Sequence, residues 1–224
     1  MMKKFILGLL VALFSLAGCS TGEKDVLVNK ESVDDVNEIV VNFASTDVDV
    51  QVSDTSELEA HLTVYDDGPG VTLDKSSNRL IVDLDSSIAR LVKKKPTLEL
   101  MIPQDFNGKL ILDGSSGNIS GKDLNQTDIE VKASSGNVKL HFAELNGDVE
   151  VSTSSGKATI EFDEETPDLN LDVSTNSGSQ SINMSLDEST KDKRKAKGTS
   201  GNGGNEMKIK TKSGNIKVNG LNRD

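Results

Sequence analysis

The side chains best suited to catalysis or metal binding are few in this chain and lie far apart in the sequence. The chain has one cysteine, Cys19, and two histidines, His61 and His141, which are the residue types that most often bind metals. Zinc sites need clustered histidines and cysteines, and the sequence contains neither a Gly-x-Ser-x-Gly elbow nor a phosphate-binding glycine loop. Both histidines occupy outward positions of alternating strands. The sequence therefore predicts no catalytic, cofactor-binding or metal-binding residues.

Carboxylates are numerous, and one closely spaced group consists of Asp47, Asp49 and Asp54. Its spacing does not match a calcium-binding EF-hand loop, and the glycine-containing segments do not match the Gly-Gly-x-Gly-x-Asp repeat of calcium-binding β-rolls. Paired carboxylates also cleave polysaccharides in some β-helical enzymes, usually beside aromatic residues that hold the sugar rings. This chain has no tryptophan and one tyrosine. The sequence therefore disfavours a polysaccharide-active enzyme.

A short polar unit related to Ser-Gly-Asn recurs along the chain, and the strands are organised around it. Apolar and polar residues alternate on both sides of each unit, as with Ile129 and Val131 before Gly136, and Val138 and Leu140 after it. Alternation with a period of two predicts a half-buried strand on each side. The glycines of the five units are Gly117, Gly136, Gly156, Gly178 and Gly214.

Each unit is predicted to be a corner, because the inward-facing phase shifts by one residue across it and a straight strand cannot do this. Glycine provides the positive φ that such a bend needs. The corner could close an ordinary antiparallel hairpin, in a meander or sandwich, or it could be a β-arc in a stacked coil. The near-constant spacing of Gly117, Gly136 and Gly156 favours stacked coils, in which Ser and Asn side chains of successive corners bond to one another.

The fold class that follows is all-β, a β-solenoid or β-helix-like repeat with Ser-Gly-Asn corners over residues 38–224. Weaker copies of the unit occur at 45–47 and 77–79, separated by extra strands at 58–64 and 98–102. Wider coils are therefore expected in the N-terminal half. The low aromatic content of 3% agrees with a thin core of Val, Ile and Leu.

Residues 1–18 have the features of a bacterial secretory signal peptide, with Lys3 and Lys4 before a short apolar segment. The sequence Leu16-Ala17-Gly18-Cys19 resembles the lipobox of bacterial lipoproteins. The resemblance implies cleavage before Cys19 and attachment there of diacylglyceryl and fatty acyl chains such as palmitate. The protein is then expected to be exported and held on the extracytoplasmic side of the cell membrane, with residues 19–37 as a tether that includes a short strand near 26–28.

The charge of the chain restricts its partners. The net charge is −11, and removal of residues 1–18 takes away two lysines and no acidic residue, which changes it to −13. This argues against nucleic acid, whose binding depends on neutralising phosphates. The strongest local exception is a basic run in a predicted exposed loop, a candidate contact for an anionic envelope polymer, lipid or protein partner. Its basic residues are Lys191, Lys193, Arg194, Lys195 and Lys197.

The strand and corner motifs together resemble the bacterial family described as putative adhesins, a β-strand-repeat domain of unknown function. The resemblance rests on Leu98-Glu99-Leu100-Met101-Ile102-Pro103, on Leu110-Ile111-Leu112, and on the Ser-Gly-Asn-Ile/Val units that begin at Ser116. It covers roughly residues 39–221 and implies the repeat fold. A non-enzymatic function follows from the absence of a catalytic motif and not from this resemblance. A lipid-anchored binding module, an envelope-stress or regulatory lipoprotein, and, least favoured, a carbohydrate-active enzyme are the functions that stay open.

Overall fold

The computed structural model describes residues 24–65, 70–84, 94–125 and 128–221, which form two large β-sheets. The nineteen strands are β1 (Lys24–Ser32), β2 (Glu38–Phe43), β3 (Asp47–Ser53), β4 (Glu57–Tyr65), β5 (Val71–Ser76), β6 (Arg79–Leu84), β7 (Thr97–Pro103), β8 (Lys109–Gly114), β9 (Ile119–Leu124), β10 (Asp128–Ser135), β11 (Val138–Phe142), β12 (Val149–Ser155), β13 (Ala158–Phe162), β14 (Leu169–Thr175), β15 (Gln180–Asn183), β16 (Asp187–Lys191), β17 (Lys195–Ser200), β18 (Asn205–Ser213) and β19 (Ile216–Asn219). These residues contain no α-helix, and none of their elements is a helix able to span a membrane.

The predicted solenoid is confirmed. At each corner the chain leaves the ten-stranded sheet and enters the nine-stranded sheet, as β10 does when it continues into β11. Each strand then runs parallel to the equivalent strand of a neighbouring coil, with Ile129 opposite Val149 and Val138 opposite Ala158. The corners are therefore β-arcs, and the alternative of antiparallel hairpins is wrong. The seven coils are β2/β3, β6/β7, β8/β9, β10/β11, β12/β13, β14/β15 and β18/β19.

The coils do not stack in the order of the chain. Coil β2/β3 lies between β6/β7 and β8/β9, and coil β18/β19 lies between β12/β13 and β14/β15. The reason is that antiparallel strands already pair with the outer edges of the two sheets, so no further coil can add there. Strand β17 pairs with the free side of β14, while β4 and β5 pair with the free sides of β7 and β6. The next coil along the chain can then add only on the inner side.

These antiparallel strands also account for the wider coils expected in the N-terminal half. Strands β4 and β5 are extensions of the two sheets at one end, and β1 pairs along β4. Strand β1 begins at Lys24 and so occupies much of the segment 19–37, where the sequence indicated only a short strand. Terminal strands of this kind cover the ends of a repeat stack, as capping repeats do in other solenoids.

The core is a set of apolar columns, one residue from each coil in each column. Val131, Val151, Ile209 and Val173 are in register in adjacent strands, and each is essentially inaccessible to solvent. Each such side chain stabilises the fold by about 1.5–3 kcal/mol. The two aromatic rings of Phe142 and Phe162 stack with their centroids 5.7 Å apart.

The glycine corners form a close-packed column. A Cβ atom at Gly136 would lie 2.1 Å from the carbonyl oxygen of Gly117, and one at Gly156 would lie 2.0 Å from that of Gly136. At Gly214 the corresponding distance, to the oxygen of Gly156, is 1.9 Å. Positive φ occurs at two of the five corners, at Gly136 (125°) and Gly156 (127°). Close approach of one corner to the next therefore requires glycine even where φ does not.

The asparagine side chains form a ladder beside this glycine column, mainly through the backbone of the next corner, whereas bonds between Ser and Asn side chains were expected. The Oδ1 atom of Asn118 accepts a hydrogen bond from the backbone N–H of Asn137, and Oδ1 of Asn137 accepts one from Lys157, both at 3.0 Å. In the same way, Oδ1 of Asp47 accepts a hydrogen bond from the backbone N–H of Asn118 at 2.7 Å. Each side chain satisfies a backbone donor of the next corner that would otherwise have no partner in the bend.

Residues 187–200 are not the loop that the sequence predicted. They form an antiparallel hairpin, β16–β17, whose second strand pairs with β14 at the edge of the ten-stranded sheet. Ala196 faces inward and is 1% exposed, and Val173 lies opposite it. The sequence gives no sign of this strand, because the basic run lacks the alternation of apolar and polar residues and contains one apolar residue, Ala196.

Candidate functional site

Two columns of outward-facing side chains precede the corners in the ten-stranded sheet. They stand four and two residues before each corner glycine, as Lys132 and Ser134 do before Gly136. The columns line an open hollow of about 440 Å³, called here the lysine–serine hollow. Its outward lining residues are Asp113, Lys132, Ser134, Ser152, Ser154, Ser174, Asn176, Lys210 and Lys212.

The hollow is basic although the whole chain is acidic. Three lysines line it against a single carboxylate, that of Asp113. Lys132 pairs with Glu130, whereas Lys210 and Lys212 are exposed and have no ion-pair partner in the described parts of the chain. The buried residues beneath include Thr153, whose hydroxyl oxygen has no hydrogen-bond partner among the described residues. Two ammonium groups are therefore available to an anionic ligand.

The basic run predicted as an electrostatic contact is divided by the hairpin. Lys195 is opposite Ser174 and so continues a row of the hollow, while Lys197 is 2.8 Å from a carboxylate oxygen of Asp172. The remaining three cations, Lys191, Lys193 and Arg194, are exposed at the turn.

Asp192 stabilises the hairpin turn. One of its carboxylate oxygens accepts hydrogen bonds from the backbone N–H groups of Arg194 at 2.7 Å and Lys195 at 2.8 Å. These hydrogen bonds lower the pKa of Asp192, because they favour the ionised form. The single acidic residue of the basic run therefore has a structural role.

The other half of the same sheet face is acidic. A smaller hollow of about 260 Å³ lies where the strands begin, lined by five carboxylates and two lysines: Asp128, Glu130, Asp148, Glu150, Glu206, Lys109 and Lys208. Hydrogen bonds from Lys109 and Lys132 lower the pKa of Glu130. Along these parallel strands the outer face thus changes from acidic at the strand starts to basic at the corners.

On the nine-stranded sheet the fold brings together Asp123, His141 and Asp163. The Nδ1 atom of His141 is 3.0 Å from Oδ1 of Asp123, and its Nε2 atom is 3.0 Å from Oδ1 of Asp163. Only the Nε2 contact with Asp163 has hydrogen-bond geometry, and Nδ1 has no hydrogen-bond partner among the described residues. The trio is also the one group among the described residues compact enough to share a metal ion. The two ring nitrogens point apart, however, so one ion could bind only one of them.

The sequence placed His141 on the outer surface, where it lies, but did not indicate its carboxylate partners. The cause is a β-bulge in β9, where Lys122 and Asp123 together oppose one residue of β11. Asp123 has a φ of 53°, which is uncommon for a residue other than glycine. The bulge shifts Asp123 out of the repeat frame, so the spacing of the repeats conceals the contact.

Comparison with known proteins identifies the family. Residues 36–140 and 109–219 match the model of the Toastrack DUF4097 domain. The chain belongs to this family. No curated protein matches its sequence.

One solved structure shares this fold at low sequence identity. A putative cell adhesion protein from Clostridium sporogenes superposes with a TM-score of 0.68 and 12% identity, over 89% of this chain and 100% of that one. A putative adhesin from Bacteroides fragilis has 14% identity over 87% of this chain and 97% of its own, with a TM-score of 0.36. The family model and the Clostridium sporogenes structure confirm the family and the fold that the strand and corner motifs indicated.

The residues of the hollow were missed in the sequence, although the repeat frame of the Toastrack domain contains a signal for them. Aligning the corner glycines puts Lys132, Ser152, Ser174 and Lys210 in one column. The spacing of the repeats does not give the order in which the coils stack, and that order places Lys210 next to Ser152. Cys19, the predicted lipidation site, lies outside the described residues.

The outer face of the nine-stranded sheet also contains a carboxylate that ionises unfavourably. Burial raises the pKa of Asp49, and the nearby carboxylates of Glu99 and Asp47 raise it further. Between the ordinary value of 3.8 and the raised pKa, the Asp49 carboxyl therefore binds more protons in the folded protein than in the unfolded chain, and its contribution to stability is lost as the pH rises through the raised pKa.

We expect Asp49→Asn to stabilise the Toastrack domain at neutral pH, because the amide has no charge to desolvate. The expected rise in Tm is small, about 1–3 °C, and it should disappear under strongly acidic conditions. Asp74→Asn, at an exposed outward position, serves as the control and should leave Tm unchanged. Thermal unfolding of the three proteins across a pH series measures this, and a lower Tm for Asp49→Asn at neutral pH would contradict it.

Proposed function

We propose that this protein is a non-enzymatic, lipid-anchored binding module on the extracytoplasmic side of the cell membrane. The observation that supports it most directly is the lysine–serine hollow, an open basic surface on an otherwise acidic domain. An open polar surface of this kind suits an extended ligand, whereas sites for small molecules are usually concave and enclose most of the ligand. The name of the similar Clostridium sporogenes protein, a putative cell adhesion protein, agrees with a surface role.

The anchor in this proposal is a lipid on Cys19. The lipobox-like Leu16-Ala17-Gly18-Cys19 follows a signal-peptide pattern, and Cys19 is the sole cysteine, so no disulfide within the chain competes for it. Each buried methylene of an acyl chain contributes about 0.8 kcal/mol, so chains attached together hold a protein on a bilayer durably. In the described structure the first strand begins at Lys24, close after this position.

Changing Cys19 to Ala should move the protein from the membrane fraction to the medium, or leave an unprocessed precursor. The reason is that no thiol is then available for diacylglyceryl transfer. Ser20→Ala, next to it, is the matched control and should stay in the membrane fraction. The measurement is cell fractionation with detection of the mature and precursor forms. Mature Cys19→Ala protein that remains in the membrane fraction would refute the anchor.

The binding role is tested with purified protein and with a deletion of the gene. Purified full-length protein should bind isolated cell envelopes or host surfaces, without turnover of envelope polysaccharide. Deletion of the gene distinguishes an adhesin from an envelope-stress or regulatory lipoprotein. Loss of adhesion indicates an adhesin, whereas altered sensitivity to membrane-active agents with normal adhesion indicates an envelope-stress or regulatory lipoprotein. Release of soluble sugars by the protein would instead revive an enzymatic function.

A further inference from the structure

We propose that the lysine–serine hollow binds a hydroxyl-rich polymer with regularly repeated anionic groups, which lies across the strands along the solenoid axis. This inference rests on the proposed binding function and names the chemistry of its ligand. Repeated phosphates on a polyol and repeated carboxylates on a polysaccharide have this chemistry in common, and the experiment below distinguishes them.

The first argument is the register of the charges. Lys132 is opposite Ser152, Ser152 is opposite Lys210, Lys210 is opposite Ser174, and Ser174 is opposite Lys195. Five adjacent strands therefore present lysine, serine, lysine, serine and lysine in one row. Neighbouring strands are about 4.8 Å apart, so the lysines of the row are about 10 Å apart across the sheet, and Lys132 at one end is paired with Glu130. A regular row of this kind matches a regularly charged polymer better than a single small anion.

The second argument is the chemistry between the charges. A serine hydroxyl both donates and accepts hydrogen bonds, so Ser152 and Ser174 suit the hydroxyl groups of a ligand between its anionic groups. A second row toward the corners adds Ser154 and Lys212. A hydrogen bond from a lysine ammonium group to a phosphate or a carboxylate is charge-assisted and roughly twice as strong as a neutral hydrogen bond. The alternation of the two residue types therefore matches alternating charged and hydroxylated groups.

The third argument is what surrounds the row. On the strand-start side lies the acidic half of the face, including Glu130 and Glu150, which repels a polyanion and confines it to the corner side. The chain has few aromatic residues, so a neutral sugar chain finds no stacking platform here. Single-stranded nucleic acid also depends on such stacking as well as on a basic surface. A hydroxylated polyanion is the class that satisfies all three conditions.

The experiment measures binding of full-length protein in detergent to poly(glycerol phosphate) and to polygalacturonate, at low and high salt. Inorganic polyphosphate, which is charged but has no hydroxyl groups, and dextran, which has hydroxyl groups but no charge, are the comparison polymers. We expect salt-sensitive binding to one or both of the first two, and weaker binding to the comparison polymers. Binding to poly(glycerol phosphate) alone identifies phosphate as the anionic group, and binding to polygalacturonate alone identifies carboxylate.

The decisive variant is Lys210→Ser combined with Lys212→Ser, because both lysines are exposed and unpaired among the described residues. Loss of two charge-assisted contacts should weaken binding by at least about tenfold. Two control variants remove the same charge elsewhere: Lys122→Ser with Lys217→Ser on the nine-stranded sheet, and Lys191→Ser with Lys193→Ser at the hairpin turn. Each control should change the affinity by less than about twofold if the hollow, rather than net charge, is the site.

Several results would overturn the proposal. If the decisive and control variants weaken polymer binding equally, the binding depends only on net charge. If polyphosphate binds as tightly as the hydroxylated polymers, the hydroxyl groups have no role. Binding to anionic vesicles but to neither polymer would assign the surface to lipid. If neither polymer binds while the protein still binds cell envelopes, this inference fails and the proposed function stands. If cell envelopes do not bind either, the binding function fails with it.

Discussion

Gly136→Ala should destabilise the protein by about 3 kcal/mol or more, a large effect for the addition of one methyl group. Two costs combine at this corner. The φ of Gly136 is 125°, which side-chain-bearing residues rarely adopt, and the new Cβ would lie 2.1 Å from the backbone oxygen of Gly117. The clashing atom belongs to the backbone of the adjacent corner and cannot rotate away. Gly136→Val and Gly136→Asn add the same Cβ and should be at least as harmful.

Two further variants separate the causes. Gly214→Ala meets a backbone oxygen at 1.9 Å without a positive φ, so it measures the effect of close approach alone. Gly70→Ala is the control, because nothing lies within 4 Å of a Cβ placed there. Chemical denaturation of the four proteins gives the free energies of unfolding. Similar stability of Gly136→Ala and Gly70→Ala would contradict the close-packed glycine column.

A chain truncated after Gly204 should fail to fold cooperatively. The truncation removes β18 and β19, which lie inside the stack, between β12 and β14 in one sheet and between β13 and β15 in the other. Four buried hydrophobic side chains are lost with them, namely Met207, Ile209, Ile216 and Val218. At about 1.5–3 kcal/mol each, their burial is comparable to the whole stability of a typical domain, about 5–15 kcal/mol.

The same truncation would be tolerated by a solenoid stacked in chain order, since only its last coil would be missing. Circular dichroism, thermal unfolding and limited proteolysis therefore test the stacking order directly. A truncated protein with a sharp unfolding transition and native-like protease resistance would contradict it.

Two matched substitutions test the same stacking order without removing any chain. Ile209 is completely buried in β18, whereas Ile182 is only partly buried in β15 at the end of the nine-stranded sheet. Ile209→Ala should cost about 2–5 kcal/mol, and Ile182→Ala should cost clearly less. Denaturant unfolding compares the two, and an equal cost would place Ile209 in an end coil.

Much of the local structure could be predicted from the sequence because it depends on local chemistry. The alternation around Gly136 predicts two strands, and the shift of phase across the Ser-Gly-Asn unit predicts a corner between them. The asparagine ladder through Asn118 and Asn137 follows from stacking identical units. The signal-peptide pattern and Cys19 likewise depend only on neighbouring residues, and their role stays a prediction.

The tertiary structure alone decided which coils are neighbours, and with that the composition of the candidate site. The repeats resemble one another, so local sequence lets β12 pair with β14 or with β18 equally well. The choice follows from hairpin β16–β17, because β17 occupies the outer edge of β14 and leaves only its inner edge to β18. Lys210 is thereby inserted between Ser152 and Ser174, and the row of alternating lysine and serine exists. Contacts decided by the competition of distant strands for one sheet edge have no signal in the spacing of residues along the chain.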